Sequence, residues 1–201
     1  MTPSLTMRGF DIYKGFLNRE AQERIVDDLR AVARQVPFIL PVTPSGKTMS
    51  VRMTSAGRLG WVTDRKGYRY QDRHPSGKAW PPIPVAVLDI WEQLAGMECE
   101  PDSCLINFYG ENSRMGLHQD KDEGDFSFPV LSVSLGDDAL FRMGNRDRGG
   151  STESIWLESG DVIVMGGEAR LAYHGVDRIR FGSSTLLPEA GRLNLTLRVV
   201  R

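Results

Sequence analysis

Histidine and cysteine are scarce in this chain of 201 residues, which contains three histidines and two cysteines. Cys99 and Cys104 are too few for a disulfide framework, so we expect a reduced, cytoplasmic environment. Any reaction that needs an imidazole must use His74, His118 or His174. His74 lies in the segment QDRHPSGK, which is typical of a loop, and we expect its side chain to be solvated or near phosphate.

Long apolar runs and a strong net charge are also missing. No run approaches the roughly 18 apolar residues of a membrane helix, and residues 1–16 lack the apolar core of a signal peptide. We therefore expect no membrane partner. The net charge of −1, from 25 basic and 26 acidic residues, excludes a protein that coats DNA through uniform positive charge.

Charge is nevertheless uneven along the chain. Residues 58–78 carry six basic side chains against two acidic ones, whereas residues 98–125 carry eight acidic against two basic. The basic stretch also contains aromatic rings, and basic residues interleaved with aromatics can hold phosphates and stack on bases. The alternative interpretation is a solvated loop with half-buried rings. In the acidic stretch, Asp122 and Glu123 are most simply solvated loop charges.

The composition, with 40% hydrophobic and 25% charged residues, is typical of a single soluble globular domain. Apolar residues at helical spacing predict helices over residues 19–35, with Asn18 as N-cap, and over residues 84–95, with Gly96 just past the end. Strands are predicted at residues 48–54, 103–109, 129–135, 139–143, 153–158, 161–165 and 192–199. Short strands at close spacing predict an α+β, mainly β fold, namely a jelly roll braced by N-terminal helices.

Two of the three histidines suggest a metal site. His118 and Asp120 are two residues apart, so on a strand both side chains point to the same face, and His174 follows 56 residues after His118. Two histidines and one carboxylate can occupy one face of an octahedral Fe(II) ion and leave the opposite face open. Zinc, which is more often held in four-coordinate sites, fits less well. A His-x-Asp sequence alone also occurs by chance in many proteins.

The final predicted strand has one apolar and one polar face. Leucines alternate with Arg192, Asn194, Thr196 and Arg198 along the sequence RLNLTLR. An outer strand with a solvated face is the usual explanation of such a pattern. If the polar face instead looks into the barrel, its guanidinium groups need an anion, and arginine pairs with carboxylates in a bidentate fork. Together with iron ligands, such arginines indicate a 2-oxo acid co-substrate.

Five longer motifs carry a resemblance to a known family. They are VTPSGKTMSVRMTSAGRLGW (42–61), CLINFYGENSRMGLHQDKDE (104–123), VSLGDDALFRMG (133–144), SGDVIVMGGEARLAYHGV (159–176) and RLNLTLR (192–198). With these motifs the sequence resembles the AlkB family of Fe(II)- and 2-oxoglutarate-dependent dioxygenases, in particular the bacterial AlkB type, from about residue 36 to residue 199. The resemblance implies a double-stranded β-helix (jelly roll) core at about residues 100–199. It also implies a nucleotide-recognition lid at about residues 36–80, after an N-terminal extension and helix at about 1–35, all within one domain of residues 1–201.

The resemblance also implies roles for individual residues. The catalytic iron, one Fe(II) ion per chain, would be bound by His118, Asp120 and His174. The 2-oxoglutarate pocket would consist of Asn107, Tyr109, Arg192, Asn194 and Arg198, with Arg192 favoured for the distal carboxylate. The alkylated base would be contacted by Trp61, Tyr68, Asp122, Arg148, Met53 and Thr43. Met165 departs from the family pattern, because it stands where a tryptophan beside the co-substrate is expected.

The implied function is repair of alkylated nucleic acid. Bases such as 1-methyladenine and 3-methylcytosine would be dealkylated oxidatively in DNA, with RNA left open as a second substrate, while 2-oxoglutarate and O₂ are converted to succinate and CO₂ and formaldehyde is released. The base would be flipped or single-stranded, and we expect a monomer. Two alternatives remain, namely a related dioxygenase acting on a substrate other than nucleic acid, and a non-catalytic cupin-like binding module.

Overall fold

The computed structural model describes residues 1–201. Its two α-helices are α1 (Arg19–Gln35) and α2 (Val85–Leu94), and a single 3-10 turn spans Gly167–Ala169. The strands are β1 (Leu5–Met7), β2 (Phe10–Tyr13), β3 (Arg52–Gly57), β4 (Gly60–Asp64), β5 (Gly67–Gln71), β6 (Ser103–Tyr109), β7 (Met115–His118), β8 (Val130–Gly136), β9 (Asp138–Met143), β10 (Glu153–Leu157), β11 (Val162–Met165), β12 (His174–Arg180) and β13 (Arg192–Arg198). Neither helix is long and apolar enough to span a membrane.

The strands form three sheets in which every pairing is antiparallel. The large sheet has seven strands in the order β1-β2-β11-β8-β13-β6-β3, and the small sheet has four in the order β10-β9-β12-β7. The hairpin β4–β5 forms a two-stranded sheet of its own. The two larger sheets pack face to face as a jelly roll, which confirms the predicted fold class.

One face of the large sheet is covered by the helices. Ile25, Leu29 and Val32 of α1 join the apolar side chains of α2 and the alternate leucines of β13 in one core cluster. The predicted N-cap is present, because the Asn18 side chain accepts a hydrogen bond of 2.9 Å from the backbone N–H of Ala21. Both helices lie where their apolar periodicity predicts them.

The opposite face of the large sheet looks toward the small sheet. A second core cluster fills part of this space with Phe10 and Ile163 from the large sheet and Phe141 and Val176 from the small one. Because side chains alternate along a strand, the leucines of β13 face the helices while its polar residues face the interior between the sheets. The expectation that the polar face lines the inside of the barrel is therefore correct.

Some elements differ from the sequence predictions. Residues 48–54 were predicted as one strand, but β3 begins at Arg52, where pairing with Phe108 of β6 starts, and Thr48 instead bridges to Val42. The strands β1 and β2 precede the helices and extend the large sheet through the pairing of β2 with β11. These segments do alternate apolar and polar residues, but they are only three and four residues long, so their strand partners decide the assignment.

Candidate active site

The three predicted metal ligands converge between the sheets. His118 ends β7, Asp120 follows two residues later, and His174 begins β12, where it lies directly opposite His118 in the antiparallel register. One donor atom from each residue can be chosen so that all lie within 4.8 Å of one another. Residues 56 positions apart in sequence meet here because β7 and β12 are neighbouring strands.

Hydrogen bonds orient both imidazoles toward a common point. Nδ1 of His118 lies 2.9 Å from the Gly116 carbonyl oxygen, and Nδ1 of His174 lies 3.0 Å from that of Ala172. With Nδ1–H donating to these carbonyls, each Nε2 is left as a free acceptor, 3.7 Å and 3.8 Å from the Asp120 carboxylate oxygens. Two neutral imidazoles and a carboxylate form a donor set that fits Fe(II).

The charges around Asp120 keep this donor set in its metal-binding form. Burial alone would raise the pKa of the Asp120 carboxyl, but Arg198, His174 and His118 outweigh burial and hold the pKa well below its usual value. The Arg198 Nη2 atom donates to Asp120 Oδ2 over 2.8 Å. Burial, assisted by His118, lowers the pKa of His174 to about 4, so its imidazole is neutral at physiological pH.

A cavity of about 350 Å³ opens beside the three ligands. The five residues expected to bind 2-oxoglutarate all line it, and they come from the neighbouring strands β6 and β13: Asn107, Tyr109, Arg192, Asn194 and Arg198. Arg198 lies at the metal end and contacts Asp120. Arg192 lies at the opposite end of β13, six residues earlier in the chain, and donates to Ser134 Oγ over 2.7 Å. The cavity therefore has cationic groups at two different distances from the metal ligands.

Several polar atoms in this cavity have no partner within the protein. They include Nε of Arg192, Nη1 of Arg198 and Oδ1 of Asn107. Burial lowers the pKa of Arg192 to about 10, which leaves the guanidinium charged at neutral pH. A buried charge with free N–H donors is costly unless an anion binds to it, and a small dicarboxylate such as 2-oxoglutarate fits these donors.

The hairpin β4–β5 lies over the mouth of the cavity. Trp61 and Tyr68 stack with their ring centroids 5.6 Å apart and an interplanar angle of 19°. The Trp61 Nε1 atom donates to Asp122 Oδ2 over 2.7 Å, so this aspartate fixes the indole. Together with Thr43 and Met53, all three of these residues line the cavity.

Arg148 is the exception among the expected substrate contacts. Its side chain is exposed in the loop 144–152, and it is not part of the cavity lining. The departure from the family pattern, Met165, is buried and lines the cavity, so its apolar thioether side chain occupies space beside the co-substrate residues.

Two expectations about polar side chains were wrong. His74 is 4% exposed, because the loop that carries it folds back onto Trp80 and places the imidazole against the Pro37 carbonyl oxygen, 3.1 Å from Nε2. Glu123 is buried rather than solvated, since it accepts from Tyr70 of the hairpin and, over 3.0 Å, from Arg170. The roles of Tyr70 and Arg170 are revealed only by these tertiary contacts, although Tyr70 lies in the basic stretch 58–78 and Arg170 in the motif 159–176.

Known proteins resemble this chain over nearly its whole length. A model of the 2OG-Fe(II) oxygenase superfamily matches residues 9–198. The chain is 54% identical to an alpha-ketoglutarate-dependent dioxygenase AlkB homolog of Caulobacter vibrioides, over 99% of this chain and 91% of the relative. It is 44% identical to the alpha-ketoglutarate-dependent dioxygenase AlkB of Salmonella typhimurium, over 94% of this chain and 89% of the relative.

More distant relatives include proteins named for nucleic acid substrates. The DNA N(6)-methyladenine demethylase ALKBH1D of Arabidopsis thaliana is 33% identical over 94% of this chain and 49% of its own length. Among solved structures, OsALKBH1 superposes with a TM-score of 0.81 at 33% identity, over 98% of this chain and 99% of that chain.

Proposed function

The chain belongs to the AlkB family of the 2OG-Fe(II) oxygenase superfamily, and from this premise we propose that it removes alkyl groups oxidatively from nucleobases such as 1-methyladenine and 3-methylcytosine. It is a dioxygenase that uses Fe(II), 2-oxoglutarate and O₂. The observation that carries the proposal is one cavity that joins the His118, Asp120 and His174 ligands to the stacked aromatic pair of the hairpin.

The iron and 2-oxoglutarate would be held by residues from opposite walls of the cavity. His118, Asp120 and His174 would bind the iron, which when bound with 2-oxoglutarate and O₂ supplies the oxidising power that breaks a C–H bond of the alkyl group. Arg192 would bind the distal carboxylate with its guanidinium group, whose Nε–H has no partner in the protein, and Arg198 lies closer to the metal end. The hydrogen bonds at Nδ1 of both imidazoles would leave each Nε2 free to bind the iron.

The hairpin would position the base. A methyl group on the Watson–Crick edge is out of reach inside a duplex, so the base must be flipped out or already single-stranded. Trp61, already held by Asp122 and backed by Tyr68, offers a rigid flat ring on which the base can stack. Since Asp122 carries a negative charge beside this ring, it would also favour a base made cationic by alkylation.

The products follow from the chemistry of an N-methyl group. Hydroxylation converts the methyl to an unstable hydroxymethyl group, which leaves as formaldehyde and restores the normal base. One oxygen atom of O₂ goes into this product, and the other goes into the succinate formed as 2-oxoglutarate loses CO₂.

The proposed function also assigns parts of the chain to a lid and to a core. Within one domain of residues 1–201, the nucleotide-recognition lid would span about residues 36–80, a range that includes Thr43 and Met49 and the hairpin β4–β5, which contribute side chains to the cavity lining. Within this range β3 is paired with β6, so it would connect the lid to the large sheet. We further propose a cytoplasmic monomer that acts on DNA and also on RNA.

A demethylation assay tests the function. Purified Fe(II)-loaded protein is given 2-oxoglutarate and a panel of single- and double-stranded DNA and RNA oligonucleotides carrying 1-methyladenine or 3-methylcytosine. We expect restored bases, succinate and formaldehyde in equal amounts, and none of them with His118→Ala. Turnover of a small hydroxylation substrate without any turnover of the oligonucleotides would favour a different dioxygenase, and no turnover of either would favour a binding module.

A further inference from the structure

A buried ionic cluster connects the hairpin with the metal ligand Asp120. Its centre is the Glu123 carboxylate, whose side chain is 1% exposed. This carboxylate accepts a hydrogen bond from the Tyr70 hydroxyl of β5 and lies 3.0 Å from Arg170 Nη2 and 3.4 Å from Arg198 Nε. We call Tyr70, Asp120, Glu123, Arg170 and Arg198 the inner cluster.

Both arginines of the inner cluster also bind Asp120. Arg170 donates from Nη1 to the Asp120 backbone carbonyl oxygen over 2.6 Å, and Arg198 donates from Nη2 to the Asp120 carboxylate over 2.8 Å. Arg170 is fixed further by its bond of 2.7 Å to the carbonyl oxygen of Phe128. Glu123 is thus hydrogen-bonded to Arg170, which fixes the Asp120 backbone, and forms an ion pair without a hydrogen bond with Arg198, which fixes the Asp120 side chain.

The hairpin depends on side-chain contacts for its position. Its strands pair only with each other, so no strand pairing connects it to the large sheet or to the small sheet. Two hydrogen bonds link it to the metal-ligand loop, namely Trp61 to Asp122 at the surface and Tyr70 to Glu123 inside. Trp61 and Tyr70 are also direct partners in the hairpin register, so a base that stacks on Trp61 acts on the strand pair that carries Tyr70.

The hydrogen bond from Tyr70 to Glu123 can be removed without changing the charges of the inner cluster. Two guanidinium groups face two carboxylates, and Glu123 remains paired with Arg170 and Arg198 if the Tyr70 hydroxyl is removed. The tyrosine contributes a neutral donor, and burial raises the pKa of its phenol, so the hydroxyl stays protonated at physiological pH. Tyr70→Phe therefore breaks the link while keeping the ring and all four charges.

We propose that Glu123 is a positioning residue which, through Tyr70, couples base binding on the hairpin to the placement of Asp120 and Arg198. This inference rests on the proposed function. A methylated strand on the hairpin stabilises the arrangement of the inner cluster in which Asp120 and Arg198 are set for iron and 2-oxoglutarate. By thermodynamic reciprocity, 2-oxoglutarate must then strengthen the binding of the methylated strand by the same factor.

The test is a binding cycle in the absence of O₂, so that nothing turns over. Isothermal titration calorimetry measures the dissociation constant of 2-oxoglutarate on the Fe(II)-loaded protein, with and without a saturating single-stranded DNA oligonucleotide that carries 3-methylcytosine. The reverse titration measures the oligonucleotide with and without 2-oxoglutarate. The variants are wild type, Tyr70→Phe and the matched control Tyr13→Phe, whose ring packs in the core on the helix side of the large sheet.

We expect the wild type and Tyr13→Phe to show coupling on the order of 5- to 150-fold, the usual range for linked sites. In Tyr70→Phe, each ligand alone should bind as in the wild type, while the coupling falls below about twofold. Wild type without coupling, or Tyr70→Phe with full coupling, overturns the inference while leaving the proposed function intact. Loss of 2-oxoglutarate binding by Tyr70→Phe without DNA would mean a merely structural role, and wild type that binds no methylated strand would overturn both proposals.

Discussion

Replacement of Arg192 by methionine should stabilise the ligand-free protein while it weakens 2-oxoglutarate binding. Arg192 is 1% exposed, and its Nε atom has no hydrogen-bond partner in the protein. Burial lowers its pKa from 12.5 to about 10, which corresponds to a cost of about 3 kcal/mol for the charged form. Because neutral pH lies below both values, the group is charged in both states and the cost is fully present there.

The expected change in stability follows from this cost and from the lost hydrogen bonds. Methionine removes the buried charge but also the bond to Ser134 Oγ, worth about 1.5 kcal/mol because its donor is charged. It also removes the weak contact of 3.5 Å to the Asp137 carbonyl oxygen, worth about 0.5 kcal/mol. We therefore expect the free energy of unfolding in urea to rise by about 1 kcal/mol. Loss of one partner of a buried charge pair costs about 3 kcal/mol of binding, so the dissociation constant of 2-oxoglutarate should increase about 10²-fold.

Two measurements check this prediction. Urea unfolding of the metal-free protein reports stability, and calorimetry of 2-oxoglutarate on anaerobic Fe(II)-loaded protein reports binding. Arg52→Met is the matched control, since this exposed guanidinium lies over the Phe108 ring and away from the cavity, and it should change neither value much. A variant at Arg192 that is less stable and binds 2-oxoglutarate as the wild type does would refute the assigned role.

Three further predictions concern the lid, the metal ligands and the core. Trp61→Ala should weaken binding of a methylated single strand by about 1 to 3 kcal/mol through lost stacking, and unchanged affinity in a fluorescence anisotropy titration would contradict this. The metal-free protein should lose about 3 kcal/mol of stability as pH falls from about 6.5 to about 4. The reason is that His174 takes up a proton in the unfolded state, whereas in the folded state its pKa is lowered to about 4 and it stays neutral. Chemical unfolding at several pH values in EDTA should show this dependence of stability on pH, and His174→Gln should remove most of it. Leu195 is fully buried on the helix side of β13, so Leu195→Ala should cost about 2 to 5 kcal/mol of stability while kcat per folded molecule stays unchanged. A loss of kcat as well would mean that the two faces of this strand are not independent.

Local patterns in the sequence were sufficient for much of the fold. The apolar spacing of residues 19–35 and the Asn18 cap predict α1 at its observed bounds, because an amphipathic helix is determined by neighbours within one or two turns. The alternation in RLNLTLR likewise predicts both the strand and its two faces. Strands β7 and β12 could not be predicted in this way, because they are stabilised by partners far away in sequence. The short strands of the hairpins β1–β2 and β4–β5, which pair with their sequence neighbours, were not predicted either.

The residues of the candidate site likewise fall into those that local sequence patterns predict and those that they do not. His118 and Asp120 were predicted from their spacing of two residues. The longer motifs indicated His174, Arg192 and Arg198 as their distant partners. The exposed position of Arg148, the buried imidazole of His74 and the buried charge of Glu123 could not be read from local sequence. Whether such a side chain is exposed or buried depends on how separate loops pack, and no residue type specifies that by itself.

The amino-acid sequence by itself determined the chemistry of this protein, because the ligand types, the alternating arginines and the family motifs require no coordinates to recognise. Only the tertiary structure decided how those residues work together. It paired His118 with His174 across two strands, placed Arg198 on Asp120, and joined the hairpin to the metal ligand through Tyr70 and Glu123. The physical reason is that residue types set what a site can bind, whereas contacts between distant segments set distance, burial and pKa.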